Sequence, residues 1–416
     1  MSYVGKEDIM INIAVLGYGT VGSGVVEVIN TNQEIVNKKA GDEINIKYIL
    51  DLRDFPGDSV EKILVHDYDV IVKDPSVDII VEVMGGVDPA YKFVKRALLM
   101  GKSVCTSNKE LVAKHGAELI AIAEENNINF LFEASVGGGI PIIRPLKTSL
   151  TADDITEITG ILNGTTNYIL TEMAQKGSAF EDVLKVAQEK GYAERNPEAD
   201  VEGYDACRKI AILTSLVVGE HVNYEDIHTE GITKITKEDF QYAKAMNASI
   251  KLLGTSKKIG DKFYSMVAPF IIGENHPLVH VDGVFNGIFA HGNVLDDVMF
   301  YGRGAGKLPT ASAVVSDVVE AASHLKENIK TIWSEEEAKL GEFSECKNKF
   351  FVRMKDKGLD DDQMMDIKKA FGNVLYVKAP TVKDELAFIT DFITEGEFAQ
   401  RIQSFADVYS VIRVDL

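Results

Sequence analysis

A glycine-rich turn near the start of the chain constrains the fold more than any other feature. The apolar run Met10–Gly17 is followed by a helical stretch from about Val21 to Ile29, and the junction has the pattern G-x-G-x-x-G, formed by Gly17, Tyr18, Gly19, Thr20, Val21 and Gly22. This pattern is weak alone, but between a buried strand and a helix it is typical of a dinucleotide site. The first glycine permits the turn, the second lets the backbone approach a pyrophosphate, and the third lets helix and strand pack closely. We therefore predict that these six residues bind a dinucleotide; a purely structural turn is the alternative.

Strand-like and helical segments alternate after this turn. A second strand is predicted at Ile44–Leu50. Further apolar runs and two helical segments follow, in the order Val70–Val72, Ile79–Met84, Pro89–Met100, Ser103–Thr106, Leu111–Asn126 and Asn129–Ala134. Alternation of this kind indicates an α/β protein with βαβ units and a doubly wound parallel sheet of the Rossmann type. We predict that residues 1–144 form this domain and that residues 301–330, helical from Ala311 to Asn328, pack back against it.

The remainder of the chain divides into two parts. Residues 145–300 mix helical and strand-like segments and are predicted to form a substrate domain, with segments at Ile155–Leu162, Phe180–Lys190, Tyr204–Gly219 and Phe263–Ile272. The polar stretch 331–347 is predicted to be a linker. Residues 348–416 follow the order strand, helix, strand, strand, helix, strand, which is the ferredoxin-like βαββαβ motif.

The composition bounds the class of protein and its partners. The chain has 416 residues and a formal net charge of −20, and an acidic surface disfavours nucleic-acid and membrane partners. The three cysteines, Cys105, Cys207 and Cys346, lie too far apart in sequence to suggest a disulfide framework or a metal cluster. The histidines show no zinc-ligand spacing. Without a signal-like N-terminus or an apolar run of bilayer length, we expect a cytoplasmic protein with small-molecule ligands.

The end of the predicted second strand bears on the choice of cofactor. Asp51 stands where an acidic residue bonds the ribose hydroxyls of NAD and repels the extra phosphate of NADP. Arg53, two residues further on, suits a 2′-phosphate instead. The distance from the glycine turn exceeds the usual spacing of about twenty residues, so a loop charge without a cofactor role is the alternative for both. The sequence slightly favours NAD and leaves NADP, or the use of both, open.

A lysine and an aspartate are predicted to share one face of the helix at Tyr204–Gly219. Lys209 follows Asp205 by four residues, and the same face continues with apolar residues. Moving a hydride to or from a carbonyl needs a group that gives or takes the oxygen's proton, and a partly buried lysine, with its pKa lowered, suits that role. An ordinary exposed Asp–Lys pair is the alternative, and helical geometry alone does not decide between the two.

The segment Gly191–Lys209 closely resembles the motif of the homoserine dehydrogenase family, written around G-Y-A-E-x-x-P-x-x-D-x-x-G-x-D-x-x-R-K. The resemblance implies that Lys209 is the general acid/base and that Asp200 shares its hydrogen-bonded site. It also implies that Glu194 binds the substrate's ammonium group, while Asp205 orients Lys209 or the substrate. Only the place of Asn196 departs here, because the family usually has an aspartate there.

Further segments resemble the same family over nearly the whole chain. Residues 161–170 match its N-G-T-T-N-Y-I-L segment, and Thr106–Lys109 matches T-[AS]-N-K. By this resemblance Lys109 lies near the nicotinamide and the substrate carboxylate, with an ordinary loop lysine as the alternative. The resemblance also assigns cofactor contacts to the turn that holds Gly85, to Thr106 and to Gly306. The stretch that ends at Gly306 has Arg303 where the family usually has proline.

The segment Glu133–Pro141 resembles the family's loop for a monovalent cation. By this resemblance sodium is bound by the carboxylate of Glu133 and by the backbone carbonyls of Val136, Gly138 and Ile140. A glycine hinge that leads into the next domain is the alternative.

Residues 348–416 resemble an ACT domain, mainly in the order of their elements. In this family such a module usually mediates feedback by threonine. The first loop, Asp356–Asp362, lacks the usual proline and is rich in acidic residues, so a dimerising or purely structural module is an alternative.

Together these resemblances imply NAD(P)-dependent interconversion of L-homoserine and L-aspartate 4-semialdehyde, in threonine, methionine and isoleucine biosynthesis. They also imply a homodimer formed through the substrate domain. Two rivals are another Rossmann reductase acting on a related aldehyde or imine, and a catalytically silent amino-acid sensor.

Overall fold

The computed structural model describes residues 10–358 and 361–416. Predictions that involve residues 1–9, Leu359 or Asp360 lie outside the described residues. The described residues form two compact units: the first lies within Met1–Ala152, Ser215–Asn223 and Gly302–Ala338, and the second lies within Asp153–Thr214, Tyr224–Tyr301 and Lys339–Leu416. Within the described ranges, no helix is long and apolar enough to cross a lipid bilayer.

The first unit contains a six-stranded parallel sheet in the order β3-β2-β1-β4-β5-β6. Its elements, in chain order, are β1 (Met10–Leu16), α1 (Thr20–Thr31), α2 (Gln33–Ala40), β2 (Glu43–Leu50), β3 (Leu64–Val65), α3 (Tyr68–Val72), β4 (Val77–Glu82), α4 (Ala90–Leu99), β5 (Ser103–Thr106), α5 (Lys109–Glu125), β6 (Phe130–Leu131) and α6 (Ile143–Thr148). The predicted doubly wound parallel sheet is confirmed. The strand order reverses between β1 and β4, where such sheets bind their ligands.

One predicted strand of this sheet is wrong. Val70–Val72 lies in helix α3, and β3 is the edge strand instead. The side chain of Asp67 accepts a hydrogen bond from the backbone N–H of Asp69, which starts the helix. Ile71 and Val72 are both buried. An apolar run of three residues is too short to separate a buried strand from a buried turn of helix.

The second unit contains the larger, mixed sheet. Its elements up to residue 303 are β7 (Ile155–Ile161), α7 (Gly164–Lys176), α8 (Phe180–Glu189), α9 (Glu198–Val201), α10 (Tyr204–Val218), β8 (His228–Thr229), α11 (Lys237–Ala245), β9 (Ala248–Ile259), β10 (Lys262–Gly273), β11 (Phe285–Gly292) and β12 (Asp296–Arg303). The strands join in the order β12-β11-β7-β9-β10. Strand β7 therefore lies inside this sheet, and helix α7 begins shortly after it.

Helix α12 (Lys307–Ser323) belongs to the first unit and packs against α1. A β-carbon at Gly24 of α1 would lie only 2.8 Å from the carbonyl oxygen of Lys307, so the absence of a side chain permits this close approach. Ala311 and Val314 are fully buried on the inner face of α12. The helix thus completes the core of the nucleotide-binding part.

The C-terminal module comprises β13 (Lys347–Lys355), α13 (Asp361–Phe371), β14 (Val374–Val377), β15 (Glu385–Thr390), β16 (Ile393–Thr394), α14 (Glu395–Ile402) and β17 (Val408–Asp415). Its main strands lie in the order β17-β13-β15-β14, and β17 pairs in parallel with β10. The module has a core of its own, rich in phenylalanine. The predicted boundaries at 331–347 and 348–416 stay predictions, but the module's sheet is continuous with that of the substrate-binding part.

Candidate active site

The glycine turn has the shape that a dinucleotide requires. Gly17 has a φ of 97°, which favours glycine, and a β-carbon at Gly22 would lie 1.9 Å from the carbonyl oxygen of Gly17. By contrast, apart from Gly19 and its two chain neighbours, no described residue has a heavy atom within 4 Å of where a β-carbon of Gly19 would be. The backbone at Gly19 is thus open at the start of α1, as close approach of a pyrophosphate requires. The turn therefore fits a dinucleotide.

Asp51 and Arg53 form one group beside this turn. The backbone N–H of Tyr18 donates to Oδ2 of Asp51 at 2.8 Å, and Nε of Arg53 donates to Oδ1 at 2.9 Å. Hydrogen bonding from Arg53 is the main cause that holds the pKa of Asp51 well below its usual range. Asp51 is thus an anion at neutral pH, while the Arg53 side chain is 61% exposed. Both residues are therefore bonded to Tyr18 of the glycine turn.

Glu82, at the end of β4, ties together the turns that carry the other predicted cofactor contacts. Its carboxylate accepts hydrogen bonds from the Thr106 hydroxyl at 2.6 Å and from the backbone N–H of Met84 at 2.8 Å. Glu82 is fully buried, and this burial raises its pKa. Gly85 follows directly in the first turn, and half-buried Lys109 begins α5 after the second. The sequence did not predict this role for Glu82.

The carboxylate of Glu133 has a role that the sequence did not predict. It accepts backbone hydrogen bonds from Ile142 at 2.6 Å, Ile143 at 2.9 Å and Arg144 at 2.7 Å. These donors are the amide groups at the start of α6, which have no partner within a helix. The carboxylate therefore caps α6, and this differs from its predicted use as a sodium ligand.

The backbone of the same loop keeps the features of a cation site. Val136, Gly138 and Ile140 are buried, and their carbonyl oxygens accept no hydrogen bond from any residue that the structure describes. The loop also touches the predicted cofactor stretch, since a β-carbon at Gly138 would lie 2.5 Å from the carbonyl oxygen of Gly304. Gly306, with a φ of 128°, precedes α12. Sodium prefers oxygen ligands, as other hard cations do.

In the second unit, α10 holds Lys209 and Asp205 together. Nζ of Lys209 donates to Oδ2 of Asp205 at 2.7 Å and to the carbonyl oxygen of Leu162 at 2.8 Å. Both side chains are buried, with 10% and 4% of their surface exposed. The exposed-pair alternative is therefore wrong, because surface pairs of this kind remain in water. The pair contains a desolvated ammonium group whose protons are directed at oxygen atoms.

Asn163 joins the two predicted aspartates, and sequence reasoning missed it as a site residue. Its Nδ2 donates to Oδ1 of Asp200 at 2.7 Å and to Oδ2 of Asp205 at 2.8 Å. Its Oδ1 accepts the backbone N–H of Thr166 at 2.8 Å and so caps α7. An asparagine directly before a helix is a sequence signal for a cap, but the contact with two aspartates about 40 residues away has no local signal.

Glu194 lies apart from this hydrogen-bonded group. Its side chain is exposed in the loop between α8 and α9, and its backbone oxygen accepts a hydrogen bond from Nε2 of Gln188 at 3.1 Å. The loop is held near α7 because the hydroxyl of Thr165 donates to the carbonyl oxygen of Tyr192 at 2.6 Å. The structure thus brings together Asp200, Asp205 and Lys209, and it leaves the Glu194 carboxylate accessible to a ligand.

Three side chains with metal-ligand atoms lie together at the β11–β12 turn, far from the Lys209 cluster in sequence. Ligand atoms of His291, Asp296 and Asp297 lie within 4.8 Å of one another. Nδ1 of His291 is 2.7 Å from Oδ1 of Asp297. The two aspartates are exposed, and their contacts with His291 account for the arrangement as an ion-paired turn.

Comparison with known proteins places most of the chain, residues 17–133 and 141–319, in one family. A family model described as homoserine dehydrogenase matches residues 141–319, and one described as homoserine dehydrogenase, NAD binding domain, matches residues 17–133. Homoserine dehydrogenase of Bacillus subtilis (strain 168) is 42% identical over 320 residues, covering 76% of this chain and 74% of that protein.

Solved structures extend the similarity. A homoserine dehydrogenase from Thiobacillus denitrificans is 33% identical, with a TM-score of 0.89 and 98% of both chains covered. A mutant of a hyperthermophilic archaeal homoserine dehydrogenase, in complex with NADPH, is 30% identical, with a TM-score of 0.65. That match covers 75% of this chain and 98% of the other.

Proposed function

This chain belongs to the homoserine dehydrogenase family and is an NAD(P)-dependent oxidoreductase that interconverts L-homoserine and L-aspartate 4-semialdehyde, and from this we infer that Lys209 is its general acid/base. The observation that carries the inference is the buried hydrogen bond of 2.7 Å between Lys209 and Asp205. We assign Asp200, Asp205 and Asn163 to the same reaction centre. The product homoserine would then supply threonine, methionine and isoleucine biosynthesis.

The chemistry divides between cofactor and protein. A bound nicotinamide dinucleotide supplies the hydride to the aldehyde carbon and accepts it in the reverse direction. Lys209 gives a proton to the aldehyde oxygen during reduction, which completes the alcohol, and takes it back during oxidation. Asp205 and the carbonyl of Leu162 hold the ammonium group in one orientation. Glu194 binds the ammonium group of the substrate, and Lys109 is assigned to its carboxylate.

Absorbance at the reduced-nicotinamide band tests this assignment. Purified protein with L-homoserine and NAD or NADP is compared with the Lys209→Ala variant. Homoserine-dependent reduction by the parent protein and its loss in the variant, with the Km for the dinucleotide unchanged, support the role of Lys209. Equal loss of turnover and of dinucleotide affinity would contradict it. A panel of related aldehydes and imines separates this activity from that of another reductase.

Cofactor choice rests on the Asp51–Arg53 group. Asp51 is ionised and engaged by Arg53, so an extra phosphate meets a neutralised carboxylate and an exposed guanidinium. We therefore propose that the protein uses both dinucleotides, with Asp51 bonding the ribose of NAD and Arg53 meeting the 2′-phosphate of NADP. Km values for NAD and NADP, measured side by side, test this. A preference above about a hundredfold for either dinucleotide would contradict it.

For the monovalent cation, we propose a site made by backbone oxygens of the loop 133–140. The carbonyls of Val136, Gly138 and Ile140 support it, and the Glu133 carboxylate, which caps α6, fixes the start of the loop. Thermal unfolding in sodium chloride and in choline chloride at equal ionic strength tests the proposal. A melting temperature that rises with sodium specifically supports a bound cation, and identical curves contradict it.

The C-terminal module is proposed to be an ACT-like domain with threonine as its effector. Its support is the strand order β17-β13-β15-β14, which is that of the ferredoxin-like motif. The loop predicted to approach an effector, Asp356–Asp362, includes residues outside the described ranges. Titrating L-threonine into the assay tests the proposal. Inhibition supports the proposal if the same concentrations of threonine leave the melting temperature of an unrelated control protein unchanged. Full activity in the presence of threonine favours a structural module.

A homodimer is proposed through the substrate-binding part. The edge strand β12 exposes Met299 and Tyr301 by 42% and 54%, and Val294 in the adjoining turn by 78%. Apolar side chains on an open sheet edge are typical of a surface that another chain covers. Light scattering after size exclusion tests this, with Tyr301→Lys as the disruptive variant. A monomeric parent protein would contradict the proposal.

A further inference from the structure

Two buried arginines of the C-terminal module bond carboxylates in the preceding part of the second unit. Arg413 of β17 binds Glu230 through two hydrogen bonds of 2.8 and 3.0 Å, and Glu395 of the module through bonds of 2.6 and 2.9 Å. Arg353 of β13 binds Asp239 of α11 at 3.0 Å. The side chains of the two arginines are only 6% and 4% exposed. Arg413 therefore binds the Glu230 end of residues 230–239, and Arg353 binds the other end of that segment.

The Glu230 end of this segment lies directly against the turn between α9 and α10. The backbone N–H of Ile232 donates to the carbonyl oxygen of Val201 at 2.8 Å. A β-carbon at Gly231 would lie 2.2 Å from that same oxygen, and one at Gly203 would lie 3.3 Å from the carbonyl oxygen of Glu230. The two stretches of backbone are therefore in direct contact.

The turn that this segment touches carries the reaction centre. Asp200 stands one residue before Val201, and Asp205 stands two residues after Gly203. Asn163 is bonded to both aspartates, and Asp205 is bonded to Lys209. A displacement of residues 201–203 therefore changes the geometry of the general acid/base, and a misplacement of about 1 Å can cost up to about a hundredfold in rate.

Strand β10 provides the base on which Glu230 and Arg413 meet. The backbone N–H of Glu230 donates to the carbonyl oxygen of Val267 at 2.7 Å, and Arg413 lies opposite Phe270 in the parallel β10–β17 pair. Pro269, which cannot donate a backbone hydrogen bond, stands where the edge of β10 changes partner from β8 to β17. Glu230 and Arg413 are thus held beside nearby residues of β10, Val267 and Phe270, and this places their side chains close enough to form the ion pair.

We propose that Glu230 is a positioning residue for the homoserine dehydrogenase reaction, and that Arg413 of the C-terminal module holds it against the turn of the reaction centre. The module is thus part of the catalytic framework, in addition to any role as a sensor. The proposal rests on the assignment of Asp200 and Lys209 made above. Hydrogen bonds from His228 and Arg413 outweigh burial and lower the pKa of Glu230 to about 2, so the ion pair persists over the pH range of an assay.

Steady-state kinetics of full-length variants test the proposal. In Glu230→Gln and Arg413→Met, kcat with L-homoserine is expected to fall about tenfold, while the Km for the dinucleotide stays within twofold. The double variant is expected to be no slower than the slower single variant, because residues that act through one contact are non-additive. Arg413→Lys, which retains the charge, is expected to recover part of the loss.

Arg353→Met is the matched control. Arg353 is an equally buried arginine of the module, paired with Asp239 and with Glu385 at 2.9 Å and donating to the Thr236 hydroxyl at 2.8 Å. In the described part of the chain, none of these partners bonds residues 201–203. Arg353→Met is expected to lower the melting temperature as Arg413→Met does and to leave kcat per folded molecule unchanged. Equal loss of kcat in the two arginine variants, or loss in neither, would overturn the proposal.

Two further outcomes keep the result unambiguous. If Arg413→Met fails to fold, Glu230→Gln decides, because this side chain is 41% exposed and the change preserves its shape. A normal kcat in Glu230→Gln then overturns the proposal. Lys209→Ala is measured in parallel: activity that survives this change defeats the assignment of the reaction centre, whereas its loss beside normal Glu230 variants defeats only the positioning role.

Discussion

The nucleotide-binding turn and the Lys209 cluster are built in opposite ways. The turn uses backbone atoms of neighbouring residues, and its key positions are glycines, which have no side chain. Gly19 leaves open space and Gly22 permits close packing. The Lys209 cluster uses side chains that come from β7–α7, α9 and α10, and the amide of Asn163 joins them. The turn is therefore sensitive to added atoms, whereas the cluster is sensitive to removed ones.

The difference has an energetic side as well. A glycine turn that binds phosphates by backbone N–H groups has little charge of its own to bury. The cluster contains an ammonium group and two carboxylates, of which Asp205 and Lys209 are 3% and 8% exposed. Charges that are buried in this way are stable only when their hydrogen bonds are complete. Loss of one member therefore affects the others.

Replacement of Lys209 should have the largest effect. Because general acid/base catalysis contributes about 10²- to 10⁴-fold, Lys209→Ala should lower kcat by that order and leave the Km for the dinucleotide nearly unchanged. Lys209→Arg keeps a positive charge that does not give up its proton at neutral pH, so it should be folded but equally slow. Steady-state kinetics with circular dichroism check this. An active Lys209→Arg variant would assign Lys209 to charge alone.

Asn163 offers a sharper test of the cluster. Asn163→Ala leaves Asp200 and Asp205 without their shared donor, and a buried group that loses its partner costs about 1–3 kcal/mol, so kcat should fall by about 10- to 100-fold. Asn163→Ser still caps α7, but its single hydroxyl proton cannot serve both aspartates. If the link between the aspartates matters, both variants should be slow and Asn163→Ser should keep most of the melting temperature. Recovery of kcat in Asn163→Ser would reduce Asn163 to a helix cap.

The two regions also differ in how far the sequence predicts them. The turn depends on six consecutive residues with fixed backbone requirements, so its pattern and the parallel sheet behind it could be predicted locally. Asn163 could not be assigned in that way, because its amide bonds residues 37 and 42 positions away. The capping role of Glu133 was missed for a related reason. Its carboxylate accepts hydrogen bonds from backbone N–H groups. Because every residue except proline has such a group, the sequence gives no signal of this contact.

Very short elements and the pairing of strands that are distant in sequence limit prediction for other reasons. Three apolar residues, such as Val70–Val72, show no periodicity that distinguishes a helix from a strand. The C-terminal elements were predicted nearly in full, yet the parallel pairing of β17 with β10 joins residues about 140 positions apart. Such pairing depends on the edges that two sheets leave available, and the pattern within either strand does not encode it.

Two alanine variants within the glycine turn should separate packing from binding. Gly22→Ala places a methyl group 1.9 Å from the Gly17 carbonyl oxygen, and overpacking costs about 1–3 kcal/mol, so the melting temperature should fall. Gly19→Ala meets open space and should fold normally, but its methyl group occupies the approach of the pyrophosphate and should raise the dinucleotide Km about tenfold. Thermal unfolding and cofactor titration check this. Equal effects in both variants would contradict the distinction.

Arg53→Ala should have the smallest effect, since an exposed ion pair is worth about 0–1 kcal/mol. The variant should raise the Km for NADP by up to about fivefold and change that for NAD by less than twofold, because only NADP carries the 2′-phosphate. The pKa of Asp51 should rise towards its ordinary value, since the hydrogen bond from Arg53 is the main cause of its lowering, but the group stays ionised at neutral pH. A matched Arg53→Lys variant should retain NADP use if charge alone is sufficient. Unchanged Km values for both dinucleotides in Arg53→Ala would show that the Arg53 side chain does not contribute to cofactor binding. This result would widen the contrast with the Lys209 cluster, which depends on its side chains.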